Sequence, residues 1–121
     1  MGAALIDDPR VGKISFTGST EVGQSILRAS AGTMKRVTLE LGGKSANLVF
    51  SDADVQAAAA AAPWAVFDNS GQDCCARSRI LVQRPVLDDF IDGFVEATRA
   101  LSLGDPGAEG TDLGPLVSAE H

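Results

Sequence analysis

A chain of 121 residues is long enough for one modest domain with a core of its own. An apolar content of 45%, with charged residues interspersed, excludes a disordered segment. The formal net charge of −6 argues against a nucleic-acid partner, which needs a basic footprint, and no apolar run approaches the ~20 residues of a membrane span.

The first residues, Met1-Gly2-Ala3-Ala4-Leu5-Ile6, lack the basic start and long apolar stretch of a signal peptide. Ile6 stands where a myristoylation signal wants Ser or Thr, so the expected location is cytoplasmic. Ile14-Ser15-Phe16-Thr17 alternates and is β-prone, which predicts a strand broken by Gly18. Ser19 can cap a helix with Glu21 in its first turn, Val22, Ile26 and Leu27 on its apolar side, and Gly32 at its end. Arg36-Val37-Thr38-Leu39-Glu40 predicts a second strand, and the three elements suit a parallel βαβ unit.

Gly42-Gly43 marks the expected domain junction. Leu48-Val49-Phe50 reads as a short buried strand. Asp52 or Asp54 then caps an alanine-rich helix from about Ala53 to Phe67, which Pro63 should kink or restart by removing a backbone donor and crowding the preceding turn. Gly71 begins a cysteine loop, and Arg79-Ile80-Leu81-Val82 predicts a strand. Pro85 suits a first helical position, and Leu87, Phe90, Ile91, Phe94 and Val95 recur at helical spacing, predicting a helix with one face on a core. The stretch from Gly104 to Pro115 is rich in Gly, Pro and Asp and reads as loop.

Three places carry possible chemistry. Cys74 and Cys75 are adjacent, so they cannot staple a loop, and reduced thiols in a reducing compartment fit better than a disulfide. Metal ligation is poorly supported, because the single histidine is His121 and no Cys-x-x-Cys pair exists. An accessible cysteine in a loop near positive charge has a lowered pKa and can act as a nucleophile, and Arg77 and Arg79 lie near Cys74 in sequence; a buried structural pair is the bland alternative. Glu40 ends an apolar strand, where a carboxylate can serve as a general base or simply be solvated. Gly18-Ser19-Thr20-Glu21-Val22-Gly23 joins a strand to a helix, and a helix N-terminus suits a phosphate, although the G-x-G-x-x-G spacing is absent and an ordinary capped turn is the bland alternative. Gly43-Lys44-Ser45 ends like a P-loop, but Thr38 occupies the place of its first glycine.

Taken in order, these segments resemble the NAD(P)-dependent aldehyde dehydrogenase family. Phe16–Gly23 is similar to its "FTGSTEVG" segment and Leu39–Lys44 to its "LELGGK" glutamate motif. Asn69–Cys74 is similar to its "N-x-G-Q-x-C" cysteine motif and Gly114–Val117 to its "GPLV" segment. The resemblance implies an α/β fold in which residues 1–42 are the C-terminal part of a Rossmann-like NAD(P)-binding domain and residues 43–121 the N-terminal part of an α/β catalytic domain. It implies Cys74 as nucleophile, Cys75 as its non-nucleophilic neighbour, Glu40 as general base and Asn69 as a loop-shaping residue. Gly18, Ser19, Val22, Leu41 and Gly42 would bind NAD or NADP, with no metal involved. The implied reaction oxidises a small-molecule aldehyde to a carboxylic acid through a Cys74 thioester, in an enzyme that assembles as a homo-oligomer.

The resemblance begins partway into the family's cofactor domain and stops within its catalytic domain. The Pro-Trp-Asn segment of the oxyanion hole, the Lys that holds the adenosine ribose, the Glu-x-Phe-Gly-Pro segment and the oligomerisation strand all lie outside it. An internal piece, inactive alone, is therefore the expectation. Two other readings use the same residues: a cofactor-independent thiol esterase, and a non-catalytic remnant that associates with other chains through exposed sheet edges.

Overall fold

The computed structural model describes residues 2–121, and the chain divides after Gly42 into two units. The first contains α1 (Gly2–Asp7), β1 (Lys13–Gly18), α2 (Thr20–Ala31) and β2 (Arg36–Leu41). β1 and β2 pair in parallel, with Ile14 opposite Val37, Thr17 opposite Glu40 and Gly18 opposite Leu41. The expected βαβ unit is therefore present, with its helix started as the sequence indicated. The Ser19 hydroxyl accepts a hydrogen bond from the Val22 N–H at 3.3 Å and so satisfies one of the orphan amides of the first turn.

The buried stripe of α2 is Gly23, Ile26 and Ser30, a narrower face than expected. Val22 and Leu27 are 46% and 50% exposed. Helical geometry turns them to either side of that stripe, and only Ile26 of the three points into the unit. Alternation along β2 leaves Val37, Leu39 and Leu41 half-buried and Thr38 and Glu40 exposed. Leucines 39 and 41 pack over Gly23, where an added methyl would lie 3.0 Å from Leu41 Cδ2.

The second unit, Gly43–His121, contains β3 (Ala46–Val49), α3 (Val55–Phe67), β4 (Arg79–Val82) and α4 (Leu87–Arg99). β3 and β4 also pair in parallel, with Val49 opposite Val82, and α3 is the crossover between them. The core is Val49, Ala59, Ala62 and Phe90, with Val55, Ala58, Ile80, Val82 and Phe94 packed against it. Asp54, the second of the two candidate caps, starts α3 by accepting the Ala57 N–H at 3.0 Å.

Three expectations for this unit are corrected. Of the expected buried strand Leu48-Val49-Phe50 only Val49 is buried: Leu48 and Phe50 are each 59% exposed, and Phe50 lies outside β3, because pairing with β4 ends at Val49–Val82. Of the kink or restart expected at Pro63, the restart does not occur: α3 runs through the proline, which is fully buried beside Ala62, and packing offsets its missing hydrogen bond. On α4, Phe90 is buried but Ile91 and Val95 are 46% and 38% exposed, so the face on the core is Phe90 and Phe94.

Candidate active site

The cysteine loop follows α3 through a tight turn, Asp68–Gly71. Asn69, Ser70 and Gly71 all have positive φ, at 51°, 59° and 74°. Only the last is a glycine, so two side-chain-bearing residues adopt the left-handed region that L-residues disfavour. Hydrogen bonds hold the turn in place. Asn69 Nδ2 donates to the Gln72 carbonyl at 3.0 Å, and Gln72 Nε2 donates to the Asn69 carbonyl at 3.1 Å. Asn69 thus shapes the loop.

The same turn is tied to the C-terminal segment. Ser70 Oγ donates to the Gly114 carbonyl at 2.8 Å, and the Val117 N–H donates to Gln72 Oε1 at 2.9 Å. Sequence reasoning read that segment as loop and a matching motif, and gave no signal that it anchors the cysteine turn.

Cys74 and Cys75 are both free and exposed in this chain. Their Sγ atoms lie 3.7 Å apart. The Cys75 N–H donates to Asp73 Oδ1 at 2.9 Å, while the Cys74 N–H has no acceptor among the described residues. The expected lowering of the Cys74 pKa is reversed. The hydrogen bond with the Cys75 thiol, then the Cys75 charge and the Asp73 carboxylate, push the Cys74 thiol up. Sequence proximity to arginine misled: neither Arg77 nor Arg79 is among the groups that shift the thiol, and Arg79 Nε donates to the Lys44 carbonyl at 2.8 Å. A cavity of about 230 Å³ beside the loop is lined by Trp64, Val66, Asp68, Asp73, Cys75 and Arg77. Trp64 is 48% exposed at this cavity rather than in the core.

Asp73, Cys74 and Cys75 offer three possible ligand atoms within 4.8 Å of one another, a convergence their spacing did not suggest. Gly43 comes close to the loop, where an added methyl would lie 3.5 Å from the Cys74 carbonyl oxygen.

The remaining candidates belong to the first unit. Glu40 is exposed on β2, next to the strand's end, and forms no ion pair among the described residues. Gly18 ends β1 and Ser19 caps α2, so the amides of Thr20 and Glu21 lie at the positive end of a helix dipole. Val22 is exposed on that first turn. Gly42 has open space where a side chain would be, whereas the Leu41 side chain packs over Gly23.

Known proteins share this sequence and fold. The family model described as the aldehyde dehydrogenase family matches residues 1–121. A putative aldehyde dehydrogenase-like protein of Schizosaccharomyces pombe is 48% identical over 121 residues, covering 99% of this chain and 24% of that protein. The mitochondrial succinate-semialdehyde dehydrogenase of Arabidopsis thaliana is 46% identical over 118 residues, covering 98% of this chain and 22% of its own length. PnpE from Pseudomonas sp. WBC-3, also solved in complex with nicotinamide adenine dinucleotide, superposes with a TM-score of 0.92 at 47% identity, covering 98% of this chain and 24% of PnpE. The chain spans about a quarter of the length of these proteins, at 22–24%. The α/β fold expected from the motifs is that of these enzymes, and the chain belongs to the aldehyde dehydrogenase family.

Proposed function

We propose that this chain supplies the nucleophile and the general base of an NAD(P)-dependent oxidation of a small-molecule aldehyde. Cys74 is the nucleophile and Glu40 the base. Residues up to Gly42 contribute to the cofactor side, and residues 43–121 carry the thiol side. The observation that carries the reading is the cysteine loop: an exposed thiol, held by the Asn69–Gln72 turn, beside its own uncommitted backbone N–H.

The Cys74 thiolate adds to the aldehyde carbon, and the carbonyl π pair moves to oxygen. The Cys74 N–H is one donor for that oxyanion. NAD(P)+, when bound, supplies the hydride acceptor. The residues of the strand–helix turn fit its pyrophosphate: Gly18 carries no side chain, Ser19 caps the helix, and α2's first turn sets the positive end of a helix dipole there. Val22 flanks that turn, and the open space at Gly42, next to Leu41, offers the unobstructed approach a nicotinamide needs. Loss of hydride leaves a thioester on Cys74. Glu40 then takes a proton from water, the resulting hydroxide attacks the thioester carbonyl, and the carboxylic acid leaves as the thiolate is restored.

The raised Cys74 thiol fits a further part of the proposal, that the 121-residue chain does not turn over by itself. Little of it is thiolate at neutral pH without additional groups. Two free thiols also suit a reducing, cytoplasmic setting.

The test is to replace the matching quarter of PnpE with residues 1–121 and to assay NADH formation. The chimera should oxidise aldehyde, and Cys74→Ala should abolish that while NAD binding persists. Glu40→Gln should leave a burst of NADH but slow turnover by roughly 10²–10⁴-fold. Full activity in the Cys74→Ala chimera would overturn the assignment. Robust NADH production by the 121-residue chain alone would overturn its inactivity.

A further inference from the structure

We propose that Asp73, Cys74 and Cys75 form a chelating site for a single thiophilic divalent cation such as Zn2+ or Cd2+.

Two thiolates bound to one tetrahedral zinc at ~2.3 Å each lie ~3.8 Å apart. The Sγ atoms of Cys74 and Cys75 are 3.7 Å apart as they stand. The bite that a tetrahedral ion requires is therefore already present, and no sulfur needs to move to accept it. A disulfide between the same atoms would need them to close to ~2.05 Å, and neighbouring residues resist that closure. The third group is Asp73. Its possible ligand atom lies within 4.8 Å of both sulfurs. Asp73 Oδ1 accepts the Cys75 N–H at 2.9 Å, which orients the carboxylate. This is the arrangement of an outer hydrogen bond holding a metal-binding carboxylate. Both cysteines are exposed, so an ion has a route in and water can complete its coordination.

Binding is an exchange of protons for metal, with no change of oxidation state. Two S–H bonds break, two sulfur–metal bonds form, and two protons pass to solvent. A bound ion would hold the Cys74 sulfur as a ligand and make that thiol a reversible target for thiophilic metals. Cys75, which the proposed reaction does not use, gains a role as the second arm of the chelate.

The test is titration of the reduced chain with Cd2+, read by the ultraviolet thiolate-to-cadmium charge-transfer band and by proton release. One Cd2+ per chain and release of both thiol protons are expected. Cys75→Ser and Cys75→Ala should each weaken binding by at least roughly tenfold, the loss that removal of even an outer-sphere partner produces. Asp73→Asn should weaken binding while retaining the band. Circular dichroism of each variant separates a lost ligand from a lost fold. Unchanged Cd2+ affinity in both correctly folded Cys75 variants would overturn the chelate. A band saturating at one Cd2+ per two chains, with dimers by sedimentation, would overturn the intramolecular site.

Discussion

The sulfurs of Cys74 and Cys75 face each other across 3.7 Å on an exposed loop, and that contact works against ionisation of Cys74. The neutral Cys74 thiol is favoured by its hydrogen bond to Cys75, and a thiolate there would be repelled by any charge on Cys75 and by Asp73. Removing the neighbour should therefore lower the Cys74 pKa. In Cys75→Ala, the pH midpoint of Cys74 alkylation, followed by peptide mass spectrometry, should move down and alkylation near neutral pH should accelerate. Asp73→Asn should move it the same way by less, and that shift should shrink with added salt because the site is fully exposed. An unchanged midpoint in Cys75→Ala would refute the coupling.

Ser30 is 2% exposed on the inner face of α2, and its hydroxyl has no hydrogen-bond partner among the described residues. A buried, unpaired hydroxyl is destabilising, and alanine is also the better helix former. Ser30→Ala should stabilise the first unit by about 1 kcal/mol. Urea denaturation followed by circular dichroism reads this directly. A destabilised variant would mean that an ordered water satisfies the hydroxyl.

Glycines 23 and 93 both sit in helices and face packed neighbours, yet they should respond differently to an added methyl. At Gly23 the nearest atom would be Leu41 Cδ2 at 3.0 Å, the far end of a side chain that can rotate. At Gly93 it would be the Ala59 Cβ at 3.0 Å, an atom fixed to the backbone of the fully buried residue at the α3–α4 contact. Replacing glycine by alanine in a helix gains up to ~1 kcal/mol, and overpacking costs ~1–3 kcal/mol. Gly23→Ala should come out within about 0.5 kcal/mol of neutral, and Gly93→Ala should lose about 1 kcal/mol. Trp64, the only tryptophan, lies on α3 and makes fluorescence a reporter for the second. Equal effects at the two positions would show that α3 and α4 can separate as easily as a leucine side chain turns.

Where local chemistry decided the outcome, the sequence was readable. The strand–Ser19–helix–strand order and the Asp54 start of α3 follow from short-range signals, a capping side chain and a period, and the structure carries both. Elements decided by packing were not readable. α1 is six residues long, too short to stand on propensity, and it packs on α2. The continuity of α3 through Pro63 depends on a core that no local window reveals. The direction of the Cys74 shift failed for a related reason. Arg79 is near in sequence but bonded elsewhere, while the adjacent Cys75 and Asp73 set the local field. The Asp73–Cys74–Cys75 convergence likewise depends on side-chain directions that adjacency in sequence does not give.

The tether between the cysteine turn and the C-terminal segment was equally hidden, since its partners are 45 positions apart. Gln72 serves both ends of it: Nε2 closes the turn on Asn69, and Oε1 accepts the Val117 N–H. Gln72→Ala removes both bonds, whereas Gln72→Glu keeps an acceptor for Val117 and loses the donor to Asn69. A hydrogen bond of this kind contributes ~1 kcal/mol, or about fivefold in an opening equilibrium. Hydrogen exchange at the Val117 amide should thus accelerate about fivefold in Gln72→Ala and stay near the parent rate in Gln72→Glu. The Ser70–Gly114 bond is independent of the substituted side chain, so the segment should loosen at Val117 without detaching at Gly114. Equal acceleration in both Gln72 variants would place the control of this segment in the turn itself, through Asn69, rather than in the direct bond from Val117.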